Sequence, residues 1–527
     1  MTVATAAVAT TADRRGRFGL GLIAASLAFI VLTGLLGPSA AEAALPGRIA
    51  TPPFWFHAAP PAWLVTVLPD LALVSGAAGL VLAWSALRHG WTPRLRGLIA
   101  GSWAAAGAMV LVPPMLSADH LVYAAYGRLV TTGGNPYTDT AATLAAHGDP
   151  VGLAVQPPWT NTSSVYGPVA TAEQALASWI GGDCVHTTVF VLALLGAVAF
   201  VAMGAMLRRL GDPVRVTVLF GLNPLLLLET VNAAHLDAFA VFFAVAGLYA
   251  LHRRQDALGA ALAGALIGLG CAAKLSLGLA VLAGIWGLRR RPRRAGVFVL
   301  CAAIVGGLTF LPYGRVALRP AREAARMVSL GSAWRPLLAP LQHAVGDGAA
   351  RELISVFGWL VLVLVVVLLA PLLRAGGAGR NDADRRSANQ DGAASPGVQA
   401  ARVLALLGIA WILAAPYTLP WYDIVAWAPL VVCAAGPLDL LLTARTTILA
   451  AAYVPGLDVP LPSGVAGWAS WIRADAAPVF SIATLLTCIA LGIRQWRAPR
   501  GPGAVALSQA TSQAQSPSES PSQATKG

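Results

Sequence analysis

The sequence predicts an all-α protein that crosses a membrane many times, and three observations carry that prediction. Of its 527 residues, 57% are hydrophobic and only 11% are charged, and the apolar residues come as long stretches between short charged breaks. With a mean hydropathy of +0.69, the chain cannot hide its apolar side chains in the single core of a water-soluble globule.

Each crossing needs about 20 apolar residues for a hydrocarbon layer of about 30 Å, and tilted, broken or re-entrant helices depart from that length. The first apolar stretch, 18–36, follows Arg14, Arg15 and Arg17 and precedes the small residues of 39–44. That plan resembles a secretory signal, but the run exceeds the usual apolar length of about 7 to 15 residues, so an uncleaved anchor is expected. Residues 1–17 are then a cytoplasmic tail. Further spans are expected near 63–87, 98–116, 185–207, 216–231, 238–251, 257–273, 275–288, 295–311, 353–373, 403–415, 424–442, 446–454 and 477–493. Several are short for a straight crossing, and the expectation is a bundle of about 12–14 transmembrane helices within residues 18–497. Two segments, 375–400 and 498–527, are rich in Gly, Ala and polar residues and read as a disordered cytoplasmic loop and tail.

The formal charge of +13 would suggest a nucleic-acid partner if it were gathered on one soluble face. The cations instead lie in short runs between apolar stretches, which fits the positive-inside rule, and no nucleic acid is expected. With the N-terminus in the cytoplasm, alternation places Arg88, Arg94 and Arg96, Arg208, Arg209 and Arg215, Arg253 and Arg254, the run 289–294, Arg445, and Arg494, Arg497 and Arg500 inside. Both termini are then cytoplasmic and the membrane is the plasma membrane. Five scattered cysteines, without paired spacing, argue against a disulfide scaffold or a zinc site.

Three segments remain for the opposite face: 117–183, 312–351 and 415–423. The connections NAAHLD (232–237) and the Ala-Lys-Leu junction at Lys274 join them there. Asp119 sits at the expected exit of the third span, where a carboxylate between water and apolar protein can serve as a general base or simply mark the boundary. Tyr123 and Tyr126 follow at helical spacing, as on a short interfacial helix. An aromatic belt explains the tyrosines but neither the acid nor Arg128. Gly133, Gly134, Asn135 and Pro136 predict a turn before Tyr137, and a long polar loop closes on Ser-Val-Tyr166-Gly-Pro.

His235 and Asp237, at i and i+2, do not share a helix face and suit a non-helical connection; local hydrogen bonding and catalysis both remain open for them. Lys274 is the only lysine outside the C-terminal tail. A charge in an apolar run is expensive unless it is paired, faces a polar cavity or snorkels to the interface. Arg315, Arg319, Arg322, Arg326 and Arg335 fall on the face that should be poor in cations, which suggests an anionic ligand such as a lipid phosphate, or an amphipathic helix on anionic headgroups.

The stretch DHLVYAAYGRLVTTGGNPY, followed by SVYGP, NAAHLD, the isolated Lys274 and PYTLPWYD, resembles the actinobacterial polyprenyl-phosphomannose-dependent α-1,6-mannosyltransferases that build lipomannan. These are multispanning glycosyltransferases of the GT-C class. The resemblance covers roughly residues 60–497. It implies a GT-C-type bundle and a catalytic carboxylate matched by Asp119, which takes the proton of an acceptor hydroxyl as that oxygen attacks the anomeric carbon of a lipid-linked mannose. Arg128, Lys274 and Arg315 are candidates to stabilise the leaving polyprenyl phosphate. Tyr123, Tyr126, Asn135, Tyr137, Tyr166, His235, Asp237, Trp421 and Tyr422 are candidates to bind substrate.

The implied partners are polyprenyl-phosphate-mannose, a mannan or lipoglycan acceptor, and membrane lipids. No cofactor is called for and no metal ligand is assigned, with a divalent ion left open. Leu236 and Ser276 depart from the family pattern, which bears on linkage and acceptor. An arabinofuranosyl- or other lipid-linked-sugar transferase is the alternative within enzymes. A lipid or solute transporter is the alternative outside them, although matched halves and midplane polar groups are not evident.

Overall fold

The computed structural model describes residues 3–47, 51–374 and 394–497. They form an all-helical bundle whose single extended pairing, among the described residues, is an isolated bridge between Glu42 and Met115. In chain order the helices are α1 (Val3–Leu36), α2 (Leu64–Arg88), α3 (Leu95–Leu111), α4 (Asp119–Thr131), α5 (Ala141–Ala146), α6 (Pro150–Ala154), α7 (Pro168–Gly181) and α8 (Val185–Leu210). A bent pair follows, α9 (Pro213–Gly221) and α10 (Pro224–Asn232). Then come α11 (Asp237–Arg253), α12 (Ala257–Ala273), α13 (Gly278–Gly287), α14 (Pro292–Leu308), α15 (Arg319–Ala324), α16 (Arg335–Val345) and α17 (Asp347–Arg374). The last four are α18 (Pro396–Ala414), α19 (Ile424–Leu430), α20 (Pro437–Ala451) and α21 (Ser463–Arg497).

The chain is a multi-pass membrane protein. Among the described residues, seven helices are long and apolar enough to cross a bilayer, or eight if the pair α9–α10, bent by 42°, is one span. Three shorter apolar helices, Leu95–Leu111, Ala257–Ala273 and Leu275–Gly287, take three more of the expected spans. Crossings judged by length are therefore fewer than the fourteen segments expected, because some of those segments are recut. Asn223 breaks one, its side chain accepting from the backbone N–H groups of Leu225 and Leu226 ahead of Pro224. Pro437 opens α20 after a turn, so the expected spans 424–442 and 446–454 become α19 and α20.

One boundary also differs. Most of the expected disordered loop 375–400 lies outside the described residues, as does the tail 498–527. Residues 396–400, however, are the first turn of α18, capped by the Ser395 hydroxyl accepting from Val398 N–H. The helix carrying Tyr123 and Tyr126 is covered by protein: His120 through Gly127 are all buried, because α7 packs along it.

Several of the charged groups inside the bundle are paired with one another. Arg215 meets Asp439 at 2.6 Å, and Lys274 meets Asp237 at 2.5 Å. Arg445, expected in a cytoplasmic loop, is instead buried in α20. It pairs with Asp423 and donates to Ile412 O at 2.8 Å and Thr418 Oγ1 at 2.6 Å. A buried guanidinium is tolerable only with such partners, and this one ties the 415–423 hinge to α18 and α20.

Candidate functional site

Five stretches of the chain converge on one cavity of about 600 Å³. Its walls are the start of α4 (Ser117, Asp119, Val122, Tyr126), the loop 156–166, one face of α15 with Met327, the hinge residues Tyr417–Tyr422, and Tyr453–Asp458 after α20.

Asp119 opens α4, its backbone N–H donating to Ser117 Oγ at 3.1 Å. Its side chain is 13% exposed, so it meets the cavity from a mostly enclosed position. Tyr123, one turn on, donates to Asp119 Oδ2 at 3.4 Å and lies 3.1 Å from the Tyr166 hydroxyl. Burial pushes both phenols well above their ordinary pKa, so they stay protonated as donors toward the carboxylate.

On the other side stands His235. The connection after α10 is non-helical, as the i, i+2 spacing requires, with Ala234 at φ +53°. His235 Nδ1 lies 2.5 Å from Glu229 O, which places the proton on that nitrogen. Nε2 then faces Ser117 Oγ at 3.3 Å and Asp119 Oδ2 at 3.6 Å. The ring lies flat on Trp421, centroids 3.7 Å apart, which fixes its orientation. Neighbouring His120 is fully buried, and burial, followed by the nearby His235, pushes it down to about 3, so it is uncharged.

Asp237 starts α11 and takes the Lys274 ammonium, which also sits 3.5 Å over the Tyr422 ring. Lys274 breaks the helix between α12 and α13 in an extended conformation. Gly167 donates its N–H to Ala273 O at 2.9 Å, and a Cβ at Gly167 would strike Ala272 O. This close approach sets Tyr166 beside the Lys274 junction.

Asp119, Tyr123, Tyr166, His235, Asp237, Lys274, Trp421 and Tyr422 thus form one connected group, and Tyr126 lines the same cavity. The other candidates lie apart from it. Arg128 binds Asp149 at 2.7 Å, and that carboxylate also caps α6. Asn135 Oδ1 accepts from Tyr137 N–H within its turn. Tyr137 bonds Thr171 at 2.9 Å, and Arg315 is exposed and outside the cavity lining.

Sequence reasoning missed Tyr417, Tyr453 and Asp458 as cavity residues. The run Tyr-Val-Pro-Gly-Leu-Asp (453–458) repeats the signal of the opening motif, an aromatic and an acid at the end of an apolar stretch, and could have been found that way. Among the described residues, no group of three or more His, Cys, Asp or Glu side chains is arranged to hold a metal ion.

A family model described as alpha-(1->6)-mannopyranosyltransferase, N-terminal domain, matches residues 18–290. The chain is 24% identical over 182 residues to alpha-(1->6)-mannopyranosyltransferase A of Corynebacterium glutamicum, covering 34% of this chain and 36% of that protein. It is 27% identical over 228 residues to alpha-(1->6)-mannopyranosyltransferase B of the same organism, covering 42% and 34%. The matched stretch therefore spans about a third of each relative's length. Among solved structures, the Archaeoglobus fulgidus oligosaccharyltransferase in the apo form aligns at TM-score 0.38 and 12% identity, over 74% of this chain and 56% of that one. The archaeal oligosaccharyltransferase from that organism in complex with an inhibitory peptide and a dolichol-phosphate aligns at TM-score 0.37 and 13% identity, over 75% and 56%. With more than half of its length matched, from the anchor helix through the Lys274 junction, the chain belongs to the alpha-(1->6)-mannopyranosyltransferase family.

Proposed function

We propose that the protein is a GT-C-class membrane mannosyltransferase. It moves mannose from polyprenyl-phosphate-mannose to a hydroxyl of a growing α-1,6-mannan or lipoglycan acceptor on the extracytoplasmic face. The observation that carries this reading is Asp119, a mostly enclosed carboxylate at the cavity wall, bonded by Tyr123 and flanked by His235.

In the reaction, Asp119 accepts the proton of the acceptor hydroxyl as that oxygen bonds to the anomeric carbon. The bond from that carbon to the phosphate oxygen breaks, and the electron pair leaves with polyprenyl phosphate. One base suffices, because a phosphate leaves without protonation. Its negative charge calls for a cation, and Lys274 is the candidate joined to the Asp119 group, with Tyr422 between it and the cavity. Family membership supports mannose as the sugar transferred.

The test is transfer of radiolabelled mannose from polyprenyl-phosphomannose to an α-1,6-mannobioside by the purified protein in proteoliposomes. The expected product is one mannose longer and α-1,6-linked. No labelled product, or transfer only from a pentosyl donor, contradicts the reading.

A further inference from the structure

Among the described residues, the lining of the cavity includes no lysine or arginine. Its charged lining residues are three carboxylates, Asp119, Glu323 and Asp458, of which Glu323 is already met by Arg319 at 3.1 Å. The cations that could serve a phosphate are held elsewhere: Lys274 by Asp237 with Tyr422 over it, and Arg128 by Asp149. A phosphate placed in the cavity would face like charge with no counterion, an arrangement worth avoiding at any plausible dielectric.

The remaining lining suits a different ligand. Gln156, Asn161 and Ser163 offer amide and hydroxyl groups, and their side chains have no hydrogen-bond partner among the described residues. The Tyr126 hydroxyl donates to Thr162 O at 3.0 Å, which pins that wall to α4. Tyr417 and Tyr453 add aromatic rings to the lining. Flat aromatic faces, hydrogen-bonding amides and acceptor carboxylates together match an uncharged polyol with apolar ring faces.

We infer that this cavity is the acceptor subsite and takes an uncharged oligosaccharide, while the anionic part of the donor is held beyond the Tyr422 wall on the Lys274 side. This rests on the transferase reading and deepens it. Trp159, half-buried, and Asp458, exposed, both line the cavity, are remote in sequence from Asp119, and are assigned to acceptor recognition. They carry no role in the chemical step.

Binding and transfer are measured separately on the full chain in nanodiscs. In the first arm, Asp119→Asn protein is titrated with α-1,6-mannotriose by calorimetry, alone and with Trp159→Ala or Asp458→Asn added. Asp458 is exposed, so its variant keeps the test informative should Trp159→Ala fold poorly. The expected result is mannotriose binding weakened at least tenfold by each change. In the second arm, kinetics in the Asp119 background show KM for the acceptor raised at least tenfold and KM for polyprenyl-phosphomannose within twofold of wild type. Mannotriose binding unchanged by both substitutions, or a donor KM that rises while the acceptor KM stays fixed, overturns the assignment. Absence of transfer by otherwise wild-type protein, with substitution-sensitive mannotriose binding intact, would remove the transferase reading and leave the saccharide site standing.

Discussion

At the scale of single residues, the candidate site separates groups that touch the cavity from groups that hold the fold. Arg128 illustrates the second kind. Its guanidinium is occupied by Asp149, so Arg128→Ala should lower the melting temperature by several degrees while leaving KM for the donor within twofold. A donor KM raised tenfold or more would return Arg128 to the phosphate.

Glu42 carries a pH dependence. It lies in the segment after α1, 2% exposed and with Oε2 unpartnered, and burial pushes its pKa from 4.5 up to about 9. Between those values the unfolded chain has released the proton and the folded chain keeps it, so stability falls as pH rises across the window, by up to about 1.4 kcal/mol per pH unit. Glu42→Gln should remove that slope. Thermal melts at pH 5 and pH 8 should show the variant gaining on wild type at the higher pH, and parallel melts would contradict the assignment.

Much of the residue-level site was legible because each of Asp119, Tyr166, His235, Asp237 and Trp421 stands where an apolar stretch meets polar sequence. Pairing was not legible. Nothing in sequence order says that Arg128 finds Asp149 or that Lys274 finds Asp237, since both choices depend on how helices pack.

At the scale of elements, the hinge 415–423 depends on a buried polar network. Asp423 Oδ2 accepts from Thr446 Oγ1 at 2.7 Å, and Trp427 Nε1 donates to the same hydroxyl at 3.1 Å. Arg445 closes the network from α20. Arg445→Met leaves Asp423 buried and uncompensated, a loss of about 3–5 kcal/mol, and should release Trp421 from His235. Adding Asp423→Leu should recover part of the stability by removing the orphaned charge, which paired melts of the single and double variants can check. The helices themselves were read with small errors in their ends, as with α8, expected over 185–207 and observed to run on to Leu210, because apolar length dominates the signal. Breaks such as Gly436-Pro437 were lost, since an apolar run hides a turn when its flanks are apolar too. Arg445 was misplaced because charge alternation assumes that every cation reaches water, and this one is satisfied inside.

At the scale of the whole molecule, the cavity collects segments 117–126, 156–166, 320–327, 417–422 and 453–458. Helix alternation from the sequence expects the first four of them on one side of the membrane. The proposal that this side is extracytoplasmic predicts that a cysteine introduced at Asn135, in the turn after α4, reacts with a membrane-impermeant thiol reagent on intact cells. Reaction only after lysis would invert the topology. The central claim, a glycosyl transfer with Asp119 as base, is tested most directly by pre-steady-state transfer with saturating donor and acceptor, comparing wild type with Asp119→Asn. The two side chains are nearly the same size, so the cavity is kept and only the proton acceptor is lost. The account predicts a chemical step slowed about 10²–10⁴-fold with acceptor affinity within threefold of wild type. Equal rates for the two proteins would contradict it.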